Sequence, residues 1–213
     1  MYVCQISGGE GVRRTKEEAE ETKQKILDAA VELFETRGYD ATRIEDIAEK
    51  MGMTRGAVYW HFKNKDELFI YILEIFERRL DLLLEESKTI ANSPLDRLRW
   101  LIINMITRSD ILVGFRQIRM IAISEFGKMG KSEIFQKRGQ KIVAKYMSSL
   151  EDVIEEGMTA GELRNEVDSE NVALMIALFV TGAVGVHINK PKFSSIQWNA
   201  PHIVDLFLTG IKS

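Results

Sequence analysis

The chain has 213 residues, 45% hydrophobic and 29% charged, with a net charge of −3 and one cysteine. That length admits one large domain or two modest ones with a real core, in the composition range of ordinary globular proteins. The net charge excludes a bulk-basic nucleic-acid binder, and a lone cysteine excludes an internal disulfide framework and fits a reducing cytosol.

Residues 1–14 hold Gly8, Gly9 and Gly11 and few large apolar side chains, and they read as a flexible arm without the apolar run of a signal peptide. Val12 is a candidate start of the native protein. Thr15 with Glu18 forms a capping box for a first helix, in which Ile26, Leu27, Ala30, Leu33 and Phe34 recur at helical spacing. Gly38 ends it. Thr42 with Glu45 caps a second helix, lined on one face by Ile44, Ile47, Ala48 and Met51. Gly52 supplies the left-handed residue after it. Thr54 caps a short third helix. Asn64 with Glu67 caps a fourth, which runs uninterrupted from Lys65 to Ala91, about 40 Å at 1.5 Å per residue.

Further helices are expected from Pro94 to about Ser109, from Gly114 to Phe126, over 131–156 with an end at Gly157, from Ser169 to His187, and from Pro201 to Lys212. No stretch alternates with period two long enough for a strand. Residues 171–189 carry no charged side chain. They reach only the lower end of a membrane-spanning length, contain Thr181 and His187, and read as a core helix.

The third helix carries the functional signal. On a helical wheel over 55–62, Val58 and Phe62 fall together and face the core. Arg55, Gly56, Tyr59 and Trp60 fill the opposite arc, with Ala57 and His61 at its edges. From Lys50 to Lys65 there are four cations and no acid. An outward Tyr-Trp pair is costly unless covered, and the cations favour a polyanion. Gly56 and Ala57 leave the helix front low enough to approach base edges in a major groove. Arg55 suits a bidentate guanine contact. Tyr59, His61 and Lys65 suit phosphate oxygens, and Arg43 is a second candidate contact, with a solvated role equally open. The whole candidate DNA surface is Arg43, Thr54, Arg55, Gly56, Ala57, Tyr59, Trp60, His61, Lys63 and Lys65.

These residues carry a resemblance. The pieces Ile26-Leu27-Asp28-Ala29-Ala30, Leu33-Phe34, Gly38-Tyr39, Ile47-Ala48, Gly52, Arg55 to Phe62 and Lys63-Asn64-Lys65 make the run from Glu17 to Phe69 similar to the DNA-binding domain of the TetR family of one-component repressors. The lead-in at 14–22 resembles the AcrR/TtgR branch, which represses multidrug efflux pumps. The resemblance covers about a quarter of the chain. It implies an all-α protein: a flexible arm over 1–14, a helix-turn-helix domain over 15–65, and a ligand-binding and dimerisation domain over 66–213. It further implies a cytoplasmic homodimer that binds a (pseudo)palindromic double-stranded DNA operator and is released by a small hydrophobic or amphipathic effector, with no cofactor and no membrane partner. A regulator of lipid or other metabolism, an activator, and a small-molecule binder without DNA affinity stand as alternatives.

In the body, Trp100, Asn104, Phe115, Met120, Met147, Met175 and Phe179 are the candidate effector-binding residues, because soft and aromatic side chains around a few polar groups are typical of adaptable pockets. For any one of them, ordinary core is the competing reading. Ala173, Ala177, Thr181 and Gly185 form a small-residue stripe, and Val204, Phe207, Leu208 and Ile211 an apolar face. Pairing of these two helices with their symmetry mates would make an isologous dimer interface.

No constellation supports catalysis. His61, His187 and His202 are spread along the chain, Cys4 stands alone, and no spacing suits zinc. The run Phe126 to Gly130 lacks the ending of a phosphate loop.

Overall fold

The structure is a computed structural model that describes residues 16–108, 133–188 and 199–213, apart from the side chains of Glu35, 133–136 and 186–188. Within them are eight helices: α1 (Lys16–Arg37), α2 (Ile44–Lys50), α3 (Arg55–His61), α4 (Lys65–Ile90), α5 (Pro94–Thr107), α6 (Glu133–Thr159), α7 (Ser169–Ile188) and α8 (Ala200–Thr209). The all-α expectation holds. The expected arm at 1–14, the Thr15 cap and the helix at 114–126 lie outside the described residues.

The first three helices close around Ile26, Ala30, Phe34, Ile47, Val58 and Phe62, each nearly or fully buried. Val58 and Phe62 face inward as the wheel requires. Gly52 takes φ 63°, a left-handed conformation that a side chain at Cβ disfavours. It lets Met53 N–H reach the Ala48 carbonyl at 2.9 Å and turns the chain into α3. The Thr54 hydroxyl accepts from Ala57 N–H at 3.3 Å, and the Asn64 side chain accepts from Glu67 N–H at 2.8 Å.

Two local expectations are corrected. Thr42 and Glu45 do not cap α2. The N-cap is Arg43, whose backbone N–H donates to Asp46 Oδ2 at 2.7 Å. The Thr42 hydroxyl is fully buried and donates to the Gly38 carbonyl at 2.7 Å, because the end of α1 offers a nearer acceptor. Gly157 does not end α6. The helix runs on to Thr159 and turns at Gly161, φ 72°. Gly157 serves packing instead. A Cβ there would sit 2.8 Å from Leu163 Cδ1, where the chain folds back over the helix.

α4 joins the two halves. Phe69 packs edge-on against Phe34 and Tyr39, and Tyr71 against Phe62, so its first turns belong to the core of the three-helix unit. Farther along, Lys145 pairs with Asp81 at 2.5 Å, Arg138 with Glu77, and Arg108 with Glu86 at 2.7 Å. Arg97 donates to buried Ser87 at 3.1 Å and to Glu156 at 3.0 Å. The body is centred on α5, which packs against α4, α6, α7 and α8 around Leu98, Leu101, Ile102, Met105 and Ile106. Arg99 grips Asp205 through Nε and Nη2 and thereby ties α5 to α8. This hydrogen-bonded pairing holds the Asp205 carboxyl below its ordinary pKa. Among the described residues no helix is long and apolar enough to cross a membrane.

The joint at the start of α4 is polar. Lys65 Nζ donates to the Tyr39 carbonyl at 2.7 Å and the Thr42 carbonyl at 2.9 Å, and lies 4.0 Å from the Tyr39 ring centroid. Burial pulls the ammonium pKa down, against the pull of Asp40, Asp66 and Asp46. The Tyr39 hydroxyl donates to Asp66, and burial followed by that carboxylate raises the phenol pKa. Replacing Lys65 with methionine keeps the stem and removes both donors. Hydrogen bonds from charged groups contribute about 1.5–3 kcal/mol, so Lys65→Met is expected to lose stability of that order in urea denaturation. A loss within about 0.5 kcal/mol, the range of an ordinary surface substitution, would contradict the clamp.

Candidate nucleic-acid interface and helical body

α3 presents one face outward. Trp60 is 72% exposed and Tyr59 41%. The Trp60 and His61 rings meet edge to face at 4.6 Å, which fixes the indole beside the half-buried imidazole. A Cβ on Gly56 would meet nothing nearer than the Thr54 hydroxyl at 3.9 Å, so the front of the helix is open to a close approach. Ala57 is half-buried, and the Thr54 hydroxyl is engaged in capping α3. Arg43 and Lys63 are exposed on either side of the helix-turn-helix.

The charge around this face differs from the linear pattern. The expectation of a surface free of acids is corrected. Arg55 Nε lies 2.9 Å from Glu45 Oε1, because the turn at Gly52 brings the start of α2 beside the start of α3. Lys50 pairs with Glu32 of α1 at 2.6 Å. Lys65, assigned above to phosphate, directs its ammonium to the Tyr39 and Thr42 carbonyls. Arg55 also lies 5.8 Å from the Tyr59 ring centroid, so the guanidinium sits between a carboxylate and an aromatic ring.

In the body, Trp100 and Met147 are half-buried against the core. Asn104 donates from Nδ2 to the Trp100 carbonyl at 2.8 Å, one turn back along its own helix. Phe115 and Met120 lie outside the described residues. Met175 and Phe179 depart from the pocket expectation. Met175 is exposed on α7, and Phe179 stacks on Phe207 of α8 at 4.4 Å and 17°. A polar group that the sequence reading passed over is Tyr146. It is buried, burial raises its phenol pKa, and its hydroxyl donates to the Met105 sulfur at 2.8 Å. Thioether sulfur is a weak acceptor. A groove of about 300 Å³ between α4, α5 and α6 is lined by charges of both signs, including Asp81, Lys88, Arg97 and Lys145.

The expected dimer stripe is also rephased. Ala173, Val204, Leu208 and Ile211 are buried within the chain itself and reach no outer surface. Ala177, Gly185 and Phe207 are half-buried, and Thr181 is exposed with its hydroxyl donating to the Ala177 carbonyl at 2.7 Å. The large apolar side chains turned outward are Leu174, Met175 and Leu178 on α7 and Leu206 on α8. Leu206 shares the exposed side of amphipathic α8 with His202, Asp205 and Thr209, but no spacing could have found those of α7. α7 is apolar on every side, so its hydrophobic pattern has no phase.

A three-helix unit with an exposed reading helix, fastened through one long helix to an α-helical body, defines a helix-turn-helix regulator. The chain matches the family described as "Bacterial regulatory proteins, tetR family" over residues 26–72. It is 35% identical to the probable HTH-type transcriptional regulator ArpR of Pseudomonas putida, over 94% of this chain and 96% of that protein. It is 35% identical to the HTH-type transcriptional regulator TtgR, also of Pseudomonas putida, over 81% of this chain and 83% of that protein. Among solved structures, that of the SmeT–triclosan complex is similar with a TM-score of 0.68 at 26% identity, covering 91% of this chain and 92% of that one. The chain belongs to the TetR family. It is a DNA-binding transcriptional regulator and not an enzyme, of the kind that acts on operator DNA as a dimer.

Proposed function

We propose that this regulator is a cytoplasmic repressor that holds a (pseudo)palindromic operator as a homodimer, leaves it on binding a small hydrophobic or amphipathic molecule, and controls a multidrug efflux pump. The exposed Tyr59–Trp60 face of α3 carries the DNA reading. The likeness to TtgR and to SmeT, the latter solved with triclosan, supports the effector class and the efflux target. The regulator would use Arg43, Arg55, Tyr59, Trp60, His61 and Lys63 on DNA, with Thr54, Gly56 and Ala57 shaping the helix front.

α4 supplies the coupling. Its first residue is clamped to the reading unit by Lys65, and its later turns are ion-paired to α6 and α5. No glycine or proline interrupts it, so a tilt at the body end is transmitted to the other. A ligand that binds the DNA-incompetent arrangement about 100-fold more tightly supplies roughly 2.7 kcal/mol of coupling.

The deciding experiment is fluorescence anisotropy on DNA upstream of the coding region, titrated with salt. Each phosphate neutralised adds about −0.9 to the slope of log K against log salt, so Lys63→Ala is expected to flatten the slope of a dimer by about two and weaken all duplexes alike. Arg55→Ala is expected to cost about 1–3 kcal/mol per half-site and relax one base-pair preference. A wild-type chain without salt-sensitive affinity for any duplex would sink the repressor reading.

The dimer face is read as the outward stripe of Leu174, Met175 and Leu178 with Leu206, flanked by Thr181 and the Phe179–Phe207 stack. Placing a charge in its centre, Leu178→Arg, should yield a monomer in sedimentation equilibrium. A dimer unchanged in association constant would move the interface elsewhere.

The effector site is read as the body around Trp100, Asn104, Met147 and Tyr146. A buried hydroxyl bound only to sulfur gains by meeting an oxygen or nitrogen acceptor on a ligand. With triclosan as probe, Tyr146→Phe should weaken binding about fivefold to tenfold in calorimetry, the scale of one net hydrogen bond. An unchanged affinity would remove Tyr146 from the site.

A further inference from the structure

We propose that Glu45 determines the sequence specificity of the DNA contact by acting on Arg55. It fixes the guanidinium in one orientation and keeps phosphate away from it. The inference rests on the reading of α3 as the DNA-contacting helix and names a residue from outside that helix.

The observations are local. Glu45 is the second residue of α2 and Arg55 the first of α3. Their Nε–Oε1 separation is 2.9 Å, and both side chains are well exposed on the face that carries Tyr59 and Trp60. Asp46, the next acid along, is occupied elsewhere. It accepts from Arg43 N–H and lies 3.7 Å from Arg37 Nη1. The carboxylate of Glu45 is therefore a separate group directed at Arg55.

A guanidinium is a planar fork. With the carboxylate on its Nε side, the edge made by Nη1 and Nη2 remains. That edge presents two parallel N–H groups, the arrangement that matches O6 and N7 of guanine. The Tyr59 ring centroid lies 5.8 Å from the guanidinium carbon. Arg55 thus reaches the groove already paired with Glu45 at its Nε side.

The second effect is electrostatic. An unrestrained arginine on a DNA-facing helix takes any phosphate it meets. Arg55 could do so only by leaving Glu45, whose charge would then be enclosed in the interface without a partner. An unpaired carboxylate beside phosphates is unfavourable both by desolvation and by repulsion. Contact with guanine leaves the ion pair intact. The pair therefore discriminates against non-cognate DNA, although Glu45 itself touches no base. A stabilising role of Glu45 at the positive end of α2 exists beside this one, but it acts equally on every duplex.

The test compares full-length wild type, Glu45→Gln, Glu45→Asp and Arg55→Ala on two duplexes of equal length, the upstream DNA and a scrambled sequence, at fixed salt. Glu45→Gln removes the charge. It should bind scrambled DNA about three- to tenfold more tightly and lower the ratio of specific to scrambled affinity about tenfold, the scale of one bidentate base contact. Glu45→Asp keeps the charge but shortens the reach. It should lower the ratio without tightening the scrambled complex. In an Arg55→Ala background, Glu45→Gln should leave the ratio unchanged. A ratio unaltered in both single variants, an equal gain on both duplexes, or an effect that persists without Arg55 would overturn the proposal. If wild type binds neither duplex, the proposal falls together with the DNA reading, and wild type's own titration shows that this is the reason.

Discussion

The two halves of the molecule are joined through a polar cluster at the start of α4. There one ammonium, from Lys65, binds two backbone carbonyls of the loop after α1 while the neighbouring Asp66 takes the Tyr39 hydroxyl. The loop carbonyls follow a helix end, and one lysine ammonium reaches both of them, the Tyr39 carbonyl accepting from Thr42 N–H as well. The consequence is mechanical. The contacts at Lys65 tie the reading unit to α4, and ion pairs farther along tie α4 to the body. A regulator needs this kind of joint, because a ligand shifts an equilibrium only as far as its own contacts differ between two states.

The DNA-facing surface is less basic than a count of cations suggests. Lys50 and Arg55 have acidic partners and Lys65 turns inward. In the proposed DNA contact the aromatic pair Tyr59 and Trp60 and the low front at Gly56 would consequently carry a larger share of recognition. Weak bulk attraction favours discrimination, since phosphate contacts position a protein but do not read sequence. A net charge of −3 is consistent with that balance.

The body is organised by α5, whose surrounded position explains why its residues are among the most deeply buried. Three polar groups inside it are satisfied economically: Asn104 by its own helix, Ser87 by Arg97 and the Leu84 carbonyl, Tyr146 by a sulfur atom. The weakest of these bonds is the one an incoming ligand would most readily improve. On the outside, leucines of α7 and α8 are exposed, in line with a family that works as dimers.

The amino-acid order alone determined the all-α class and most of the described helices. Caps at Thr54 and Asn64, the helix end at Gly38, the left-handed Gly52 and the Val58–Phe62 inward face are local consequences of backbone sterics and a 3.6-residue period, and all were legible. Pairings between elements were not legible. Whether Glu45 capped a helix or met Arg55, whether Lys65 faced phosphate or two carbonyls, and which side of uniformly apolar α7 turned outward depended on how separate helices came together. Periodicity records only how a residue stands relative to its own helix axis. Partnership across space is decided by the fold, because burial removes competing water and leaves each charge to the nearest group that packing brings within reach.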